Sequence, residues 1–185
     1  MIQLASRSGE AQLFFADTIM GTRREARERA VQFLFQRDVN PEGDLSEALE
    51  RFWESQSKAA QKLEKGDALW NVKVELPPPT TAEVGVRAFA EPLVFGVLDN
   101  QERIDAEIVK HAANWSLERI AVVDRNILRL AIYEMFYRHD IPPVVTINEA
   151  VDIAKRFSTD ESGKFVNGIL DKIKASLTRP TRTST

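Results

Sequence analysis

The sequence predicts an all-α fold of about seven helices without paired strands. Apolar residues recur three or four positions apart in most segments, which is the spacing of an amphipathic helix. The chain has 185 residues, of which 43 % are apolar, and this is enough to fill the core of one domain. No repeat of fixed period is present. These observations favour a single helical domain.

The first helix is predicted over residues 23–37, with Thr22 as its N-cap. Its main apolar stripe consists of Ala26, Ala30, Phe33 and Leu34. At ~100° per residue, Val31 and Phe35 fall on a different side, so this helix has a second apolar face. A helix with two apolar faces is either fully buried or in contact with a partner.

A second, longer helix is predicted over residues 45–63, after the turn Asn40-Pro41-Glu42-Gly43. Residues 66–82 are predicted to form a loop, stiffened by polyproline geometry at Pro77-Pro78-Pro79. Residues 70–76 alternate weakly and would also suit a lone strand, but such a strand has no pairing partner here.

Three further helices follow the loop. The third is predicted over residues 84–98, where Pro92 either kinks the helix or marks its first turn. The fourth is predicted over residues 104–115 from a regular apolar stripe. The fifth, over residues 117–138, has apolar residues around most of its circumference, as a central core helix would have.

Two capping signals predict the last helices. Ile141-Pro142-Pro143 ends the fifth helix, and Thr146-Ile147-Asn148-Glu149 has the pattern of a capping box that begins the sixth. Ser162 is the predicted N-cap of the seventh.

The helical domain is predicted to span residues 20–177. Residues 1–19 precede the second methionine, Met20, and are treated as a flexible extension or as the result of a mis-assigned start codon. Residues 178–185 are predicted to form a flexible basic tail.

Several classes of chemistry are excluded or disfavoured. There is no cysteine, which excludes disulfides, thiolate metal sites and thiol catalysis and suits a reducing cytoplasm. The two histidines, His111 and His139, lie far apart without metal-ligand spacing, so no metal or other cofactor is expected. Glycine-rich phosphate or dinucleotide motifs are absent. The sequence therefore predicts a protein that is not an enzyme.

Charge and hydropathy restrict the partners. No apolar run approaches the ~20 residues of a membrane span, so no membrane partner is expected. The net charge of −3 and pI near 5.6 argue against a protein that binds nucleic acid by bulk positive charge. Residues 22–37, however, contain five arginines against two glutamates, and every charged residue after Asp171 is basic. Any nucleic-acid contact is therefore expected to be local.

The arginines of the first helix have two interpretations. They could make a soluble helix through pairs such as Glu25 with Arg29. Alternatively, Arg23, Arg24 and Arg27 present fork-shaped donors to phosphates, assisted by the helix dipole.

The start of the last helix offers a second candidate site. Lys164 places a cation beside the aromatic ring of Phe165, a pair able to hold a phosphate and stack a base, although a phenylalanine alone is more typical of a core. Gly163 and Gly168 are unfavourable inside a helix and indicate either close packing or close approach of a ligand backbone.

Four ordered blocks of the sequence resemble the signature segments of the NusB family. They are residues 23–32 (RREARERAVQ), 126–134 (NILRLAIYE), 146–151 (TINEAV) and 164–171 (KFVNGILD). The resemblance runs from about Arg23 to Ile173, while residues 41–82 are longer than the usual connection in the family. It implies two small helical bundles, no catalysis, and a heterodimer with NusE, a ribosomal small-subunit protein. This heterodimer would bind the boxA element of RNA in the transcription elongation complex and support ribosomal RNA transcription.

The resemblance also implies roles for individual residues. Those in RNA-binding segments of the family are Arg23, Arg24, Arg27, Lys164 and Phe165. Those at partner-facing positions are Phe35, where tyrosine is usual, and Asp124. Glu25 replaces what is often a basic residue, which makes assistance by the partner more important.

Two alternatives remain open from the sequence. The same fold occurs as a domain of certain RNA cytosine methyltransferases, but these require a catalytic domain with a glycine motif and cysteines, which this chain lacks. The other alternative is a helical protein-interaction module without an RNA role. Its partner binding would be insensitive to salt and to loss of the three arginines.

Overall fold

The structure, a computed structural model, describes the backbone of residues 6–65, 78–112 and 115–177, and the side chains of these segments except those before Thr22 and those of residues 61–65. Within these segments every regular element is helical, so the predicted all-α class is confirmed. The elements are α1 (Ser6–Val39), α2 (Leu45–Lys65), α3 (Thr81–Asp99), α4 (Gln101–His111), a 3₁₀ turn (Leu117–Arg119), α5 (Val122–Tyr137), α6 (Pro143–Phe157) and α7 (Asp160–Leu177).

The helices form two groups that share α5. In one group α1 packs on α3, and α2 joins them through an edge-to-face contact between Phe33 and Phe52, whose ring centroids are 5.5 Å apart. In the other, α6 packs on α7, and α4 contacts both α5 and α7. Helix α5 contacts α1, α3, α4, α6 and α7, and it contributes Ile127, Leu128 and Ile132 to the fully buried core. The prediction that this helix is central is confirmed.

The beginning of α1 differs from the prediction. The helix starts at Ser6, so Thr22 lies inside it and is not an N-cap. A cap requires the chain to leave the helical conformation, and no proline between Ser6 and Thr22 forces it to do so. Residues 6–19, predicted to lie outside the fold, are therefore part of α1. The first five residues, the lone strand considered at residues 70–76, and the tail 178–185 lie outside the described residues.

The predicted capping box at Thr146 is wrong. Helix α6 begins three residues earlier, at Pro143, because proline has a helical φ and no N–H to leave unpaired in the first turn. Thr146 is buried instead, and its hydroxyl donates a hydrogen bond to Glu134. A complete capping box occurs at the start of α3, where the Thr80 N–H donates to Glu83 at 2.7 Å and the Glu83 N–H donates to the Thr80 hydroxyl at 3.2 Å.

Two other boundaries also move. The side chain of Thr159, not of Ser162, caps α7, because it accepts a hydrogen bond of 3.1 Å from the Ser162 N–H. The predicted helix over residues 117–138 is divided into the 3₁₀ turn and α5, which are separated at Ile120. None of the described helices is long and apolar enough to cross a membrane.

Glycine at position 96 permits close packing of α3 on α5. A Cβ atom at Gly96 would overlap the ring of Tyr133, which lies directly against the glycine backbone. At Gly168 on α7, by contrast, a Cβ would meet no described atom within 4 Å. Both positions are inside helices, so they differ mainly in the space available.

We expect Gly96→Ala to lower the free energy of unfolding by ~1–3 kcal/mol through overpacking, despite the better helix propensity of alanine. Gly168→Ala is the matched control, and we expect it to leave stability unchanged or raise it by up to ~1 kcal/mol. Urea denaturation followed by circular dichroism measures both. Equal effects of the two substitutions would show that the contact with Tyr133 does not constrain the interface between α3 and α5.

Candidate nucleic-acid interface

The three arginines predicted to contact RNA occupy different environments on α1. The Arg27 side chain is only 6 % exposed, and its Nε donates to Glu134 Oε1 at 2.9 Å. The second oxygen of Glu134 accepts a hydrogen bond of 3.0 Å from the Thr146 hydroxyl. The Arg27 guanidinium also lies 4.0 Å from Glu149 and 5.3 Å from the centroid of Phe89. Arg27 is thus enclosed by α3, α5 and α6.

This burial departs from the prediction that Arg27 presents its guanidinium to a phosphate. Residues four positions apart lie on the same face of a helix. Arg27 and the buried Val31 are four positions apart, so both side chains point into the interior. Its charge is compensated there by Glu134, which is itself buried. We therefore assign Arg27 a structural role.

Arg24 lies at the surface, where 46 % of its side chain is exposed. Its Nε and Nη2 donate to the two oxygens of Glu149 at 3.0 and 2.9 Å, and Nη2 also donates to Asp152 at 2.9 Å. The hydrogen bond to Glu149 raises the pKa of Arg24, against the opposing effect of burial. Arg24 is therefore fixed in direction by α6 while part of its surface remains open.

Arg23 is exposed and rests on an aromatic ring. Its guanidinium carbon lies 5.5 Å from the centroid of Phe89 on α3, and that of Arg138 lies 5.2 Å from the same centroid. Arg138 is held by two hydrogen bonds to Asp140, at 2.9 and 3.0 Å. Phe89 and Arg138 were not identified from the sequence, because they are distant from Arg23 along the chain.

Lys164 and Phe165 differ in exposure. Lys164 is exposed, and its Nζ lies 2.7 Å from Glu161. Phe165 is half-buried and packs on Trp115, with 5.8 Å between ring centroids. The guanidinium of Arg119 lies 5.4 Å from the centroid of Trp115, which is exposed. The aromatic group at this end of the molecule is therefore larger than the sequence indicated.

Helix α6 lies between the two predicted RNA segments. On one side it holds Arg24 through Glu149 and Asp152. On the other, Lys155 packs against the start of α7, where a Cβ atom at Gly163 would lie 2.9 Å from the Lys155 side chain. No contact between Arg24 and Lys164 is present among the described residues, and each of the two segments instead contacts α6.

The two predicted partner-facing residues are also placed differently. Phe35 is 38 % exposed, whereas Val31, on the same apolar face, is buried in the core. Asp124 is only 6 % exposed, and its Oδ1 has no hydrogen-bond partner in the described structure. The exposure of Phe35 agrees with a docking position, while the burial of Asp124 differs from the surface position that was expected.

A charged network lies near Phe35, at the end of α1. Asp38 Oδ2 accepts hydrogen bonds from Arg125 at 2.7 Å and from Arg129 at 3.1 Å, and Arg129 also pairs with Asp105 of α4. Burial raises the pKa of Asp38, but the hydrogen bond from Arg125 and the charges of Arg129 and Arg125 outweigh it, so the pKa lies below its usual value. The network therefore ties α1 to α4 and α5.

The described residues do not form a metal site. No cluster of three or more side chains among them has the ligands to hold a metal ion. The ring Nδ1 of His111 lies 3.0 Å from the Glu107 carbonyl oxygen of its own helix, and His139 is exposed.

Residues 24–175 match the sequence model of the NusB family. The chain belongs to the NusB family. The transcription antitermination protein NusB of Geobacter sp. (strain M21) is 42 % identical over 159 residues, which cover 86 % of this chain and 98 % of that protein. The NusB of Bacillus subtilis (strain 168) is 44 % identical over 155 residues, covering 84 % and 96 %.

Solved structures of NusB proteins are similar to this one. T. maritima NusB is 37 % identical, with a TM-score of 0.61 and coverage of 83 % of this chain and 90 % of that one. A crystal structure of the antitermination factors NusB and NusE in complex with double-stranded RNA gives 27 % identity, a TM-score of 0.64 and coverage of 85 % and 98 %. The family resemblance seen in the sequence is thus confirmed.

We expect Arg27→Ala to lower the free energy of unfolding by ~3–5 kcal/mol, because it leaves the buried Glu134 carboxylate without its positive partner. Arg24→Ala removes a half-exposed pair and should cost no more than ~1 kcal/mol. Thermal and urea unfolding of both variants measure the difference. A small effect of Arg27→Ala would show that its side chain is not required for the packing of α1 on α5.

We expect the Asp38 network to stabilise the fold in a pH-dependent way. The pKa of Asp38 is lower in the folded protein than in the unfolded chain, so the unfolded chain binds a proton at higher pH. The stabilisation is therefore present at neutral pH and is lost as the pH falls from about 5 through the pKa of the folded state. Asp38→Asn should lower the free energy of unfolding at pH 7 by roughly 1–3 kcal/mol. It should also reduce the amount of stability that the protein loses between about pH 5 and 3. Asp171→Asn, at an exposed side chain of α7, is the control for general charge effects. Parallel acid profiles of wild type and Asp38→Asn would contradict this assignment.

Proposed function

We propose that this protein is a bacterial transcription antitermination factor that binds boxA RNA together with NusE and so supports ribosomal RNA transcription. The protein acts by holding RNA and partner side by side within the elongation complex, and it catalyses no reaction and needs no cofactor. The observation that carries the proposal is the exposed basic surface on both sides of α6, in a chain whose relatives are named transcription antitermination proteins. This role would place the protein in the bacterial cytoplasm.

The RNA contacts are assigned according to exposure. Arg23, Arg24 and Lys164 are the residues whose charged groups reach solvent, and we assign them phosphate contacts. Phe165 supports a stacking surface with the exposed Trp115. Arg27 contributes indirectly, since its ion pairs fix the position of α1, which carries Arg24, relative to α5 and α6.

NusE is assigned to the C-terminal end of α1, at Phe35. An exposed aromatic side chain above a rigid, charged network is a suitable anchor for a protein partner. Asp124 is buried, and its unpaired oxygen favours an indirect role or a contact made after local rearrangement. The related complex contains both NusE and double-stranded RNA, which supports simultaneous binding of the two partners by this chain.

The deciding test measures binding of a short boxA-like RNA and a scrambled control, with and without NusE, across a salt series. We expect NusE to tighten binding of the boxA-like RNA selectively. If neither RNA binds even with NusE present, the chain is a helical protein-interaction module and the proposal is wrong.

Removal of one phosphate contact should lower the salt dependence of RNA binding. We expect Arg24→Ala and Lys164→Ala each to weaken binding to both RNAs and to reduce the slope of log K against log salt by about 0.7–0.9. The folded state should be retained, because both side chains are exposed. Unchanged slopes would remove these residues from the interface.

Phe35→Ala should weaken NusE binding at least about tenfold, as expected for an aromatic anchor at an interface. RNA binding without NusE should stay unchanged, because Phe35 lies about 16 Å along α1 from Arg24. Calorimetry of the variant with NusE measures the first effect, and anisotropy of labelled RNA measures the second. A loss of both activities would indicate a folding defect or a shared surface.

A further inference from the structure

An open cleft lies between α1 and the C-terminal end of α6. Its volume is about 340 Å³, and its lining includes Arg24, Arg29 and Gln32 from α1 and Arg156 and Phe157 from α6. Glu25 and Glu28 also line it, so the cleft carries three positive and two negative side chains. Because Arg24 forms one wall, the cleft is continuous with the basic surface described above.

We propose that this cleft is a separate subsite that holds one unpaired nucleotide of the bound RNA. The inference rests on the proposed RNA-binding function and adds Arg156 and Phe157 to it. A phosphate contacts Arg156, and the base enters the cleft beside Phe157. This combination of a cation and an aromatic ring is how single-stranded nucleic acid is commonly held.

Arg156 is held in place but retains free donors. Its Nη1 donates to Glu28 Oε1 at 2.6 Å, and its guanidinium carbon lies 5.5 Å from the centroid of Phe157. Within the described chain this is the only hydrogen bond of its side chain, so Nε and Nη2 remain available. The Arg156 side chain is 65 % exposed, whereas that of its partner Glu28 is only 11 % exposed. Arg156 therefore has the geometry of a phosphate contact that a nearly buried carboxylate holds in place.

The other walls provide the contacts that a base needs. Phe157 is half-buried, so one part of its ring packs against the core while another borders the cleft. Gln32 accepts a hydrogen bond of 3.2 Å from Arg29, which fixes the amide and leaves its NH₂ group without a partner in the described part of the protein. An oriented amide donor beside a stacking surface can distinguish base edges. The subsite is therefore suited to a particular base as well as to a phosphate.

Arg156→Gln tests the phosphate contact, and Arg51→Gln is its matched control. Arg51 is 64 % exposed and pairs with a glutamate on α2, so both substitutions remove one charge from a similarly exposed arginine. Glutamine at position 156 also retains an amide donor for the nearly buried Glu28. With boxA-like RNA and NusE present, we expect Arg156→Gln to reduce the salt slope by about 0.7 while Arg51→Gln leaves it unchanged. Equal slopes for the two variants overturn the subsite.

Abasic RNA tests the base contact independently. Each nucleotide in turn is replaced by an abasic residue, and binding is measured with wild type and with Phe157→Leu, whose fold is checked by thermal unfolding. We expect one position at which base removal weakens binding about 5- to 100-fold for wild type and has little effect for Phe157→Leu. If base removal weakens binding equally for wild type and Phe157→Leu at every position, Phe157 contacts no base.

The outcomes separate this inference from the proposed function. If wild type binds the RNA and Arg24→Ala weakens it, but Arg156→Gln behaves as Arg51→Gln does, the subsite is wrong and the proposed function stands. If wild type binds no RNA with NusE, both fail. A third experiment measures binding of free nucleoside monophosphates. If they bind to wild type but not to Arg156→Gln, the cleft is a small-molecule site and the assignment to RNA is overturned.

Discussion

The buried ion pair between Arg27 and Glu134 determines how the two helical groups fit together. It crosses from α1 to α5, and Thr146 joins it from α6 through the second oxygen of Glu134. Removing either charge would leave the other uncompensated in a medium of low dielectric constant, which is far more costly than losing a surface pair. The relative position of α1, α5 and α6 is therefore strongly specified at this junction, and the exposed arginines of α1 take their positions from it.

Helix α1 is fixed at two points along its described length, and each point supports a different surface. Near its middle, Arg27 is enclosed beneath Arg24 and the cleft beside α6. Near its end, Asp38 is held by Arg125 and Arg129 beside the exposed Phe35. A helix held this way would keep the proposed RNA surface and the proposed NusE surface at a constant separation. Partner assistance would then follow from geometry, because RNA that contacts both proteins gains from their fixed arrangement.

Periodicity predicted the existence of the helices and the central place of α5, because both depend on many apolar residues in register. The caps at Thr146 and Ser162 were wrong because hydroxyl side chains bond equally well inside a protein, and the nearby Pro143 and Thr159 were better starting points. The burial of Arg27 had a signal that was missed, since Arg27 lies one turn before Val31, and Glu134 occurs among the apolar residues of α5. Contacts between distant segments, such as Arg156 with Glu28, have no signal in one sequence.

The RNA contacts proposed for this net acidic protein rely on arginines that already have carboxylate partners. Arg24 is paired with Glu149 and Asp152, and Arg156 with Glu28, so neither is a free cation. Glu149 and Glu28 are nearly buried, but each arginine reaches solvent and retains donors that a phosphate can engage without breaking the pair. The carboxylates hold the guanidinium groups in fixed directions, which reduces the entropy lost on binding, but they also lower the local positive potential. Selection of a particular RNA by shape and base contacts is therefore favoured over general attraction to any polyanion.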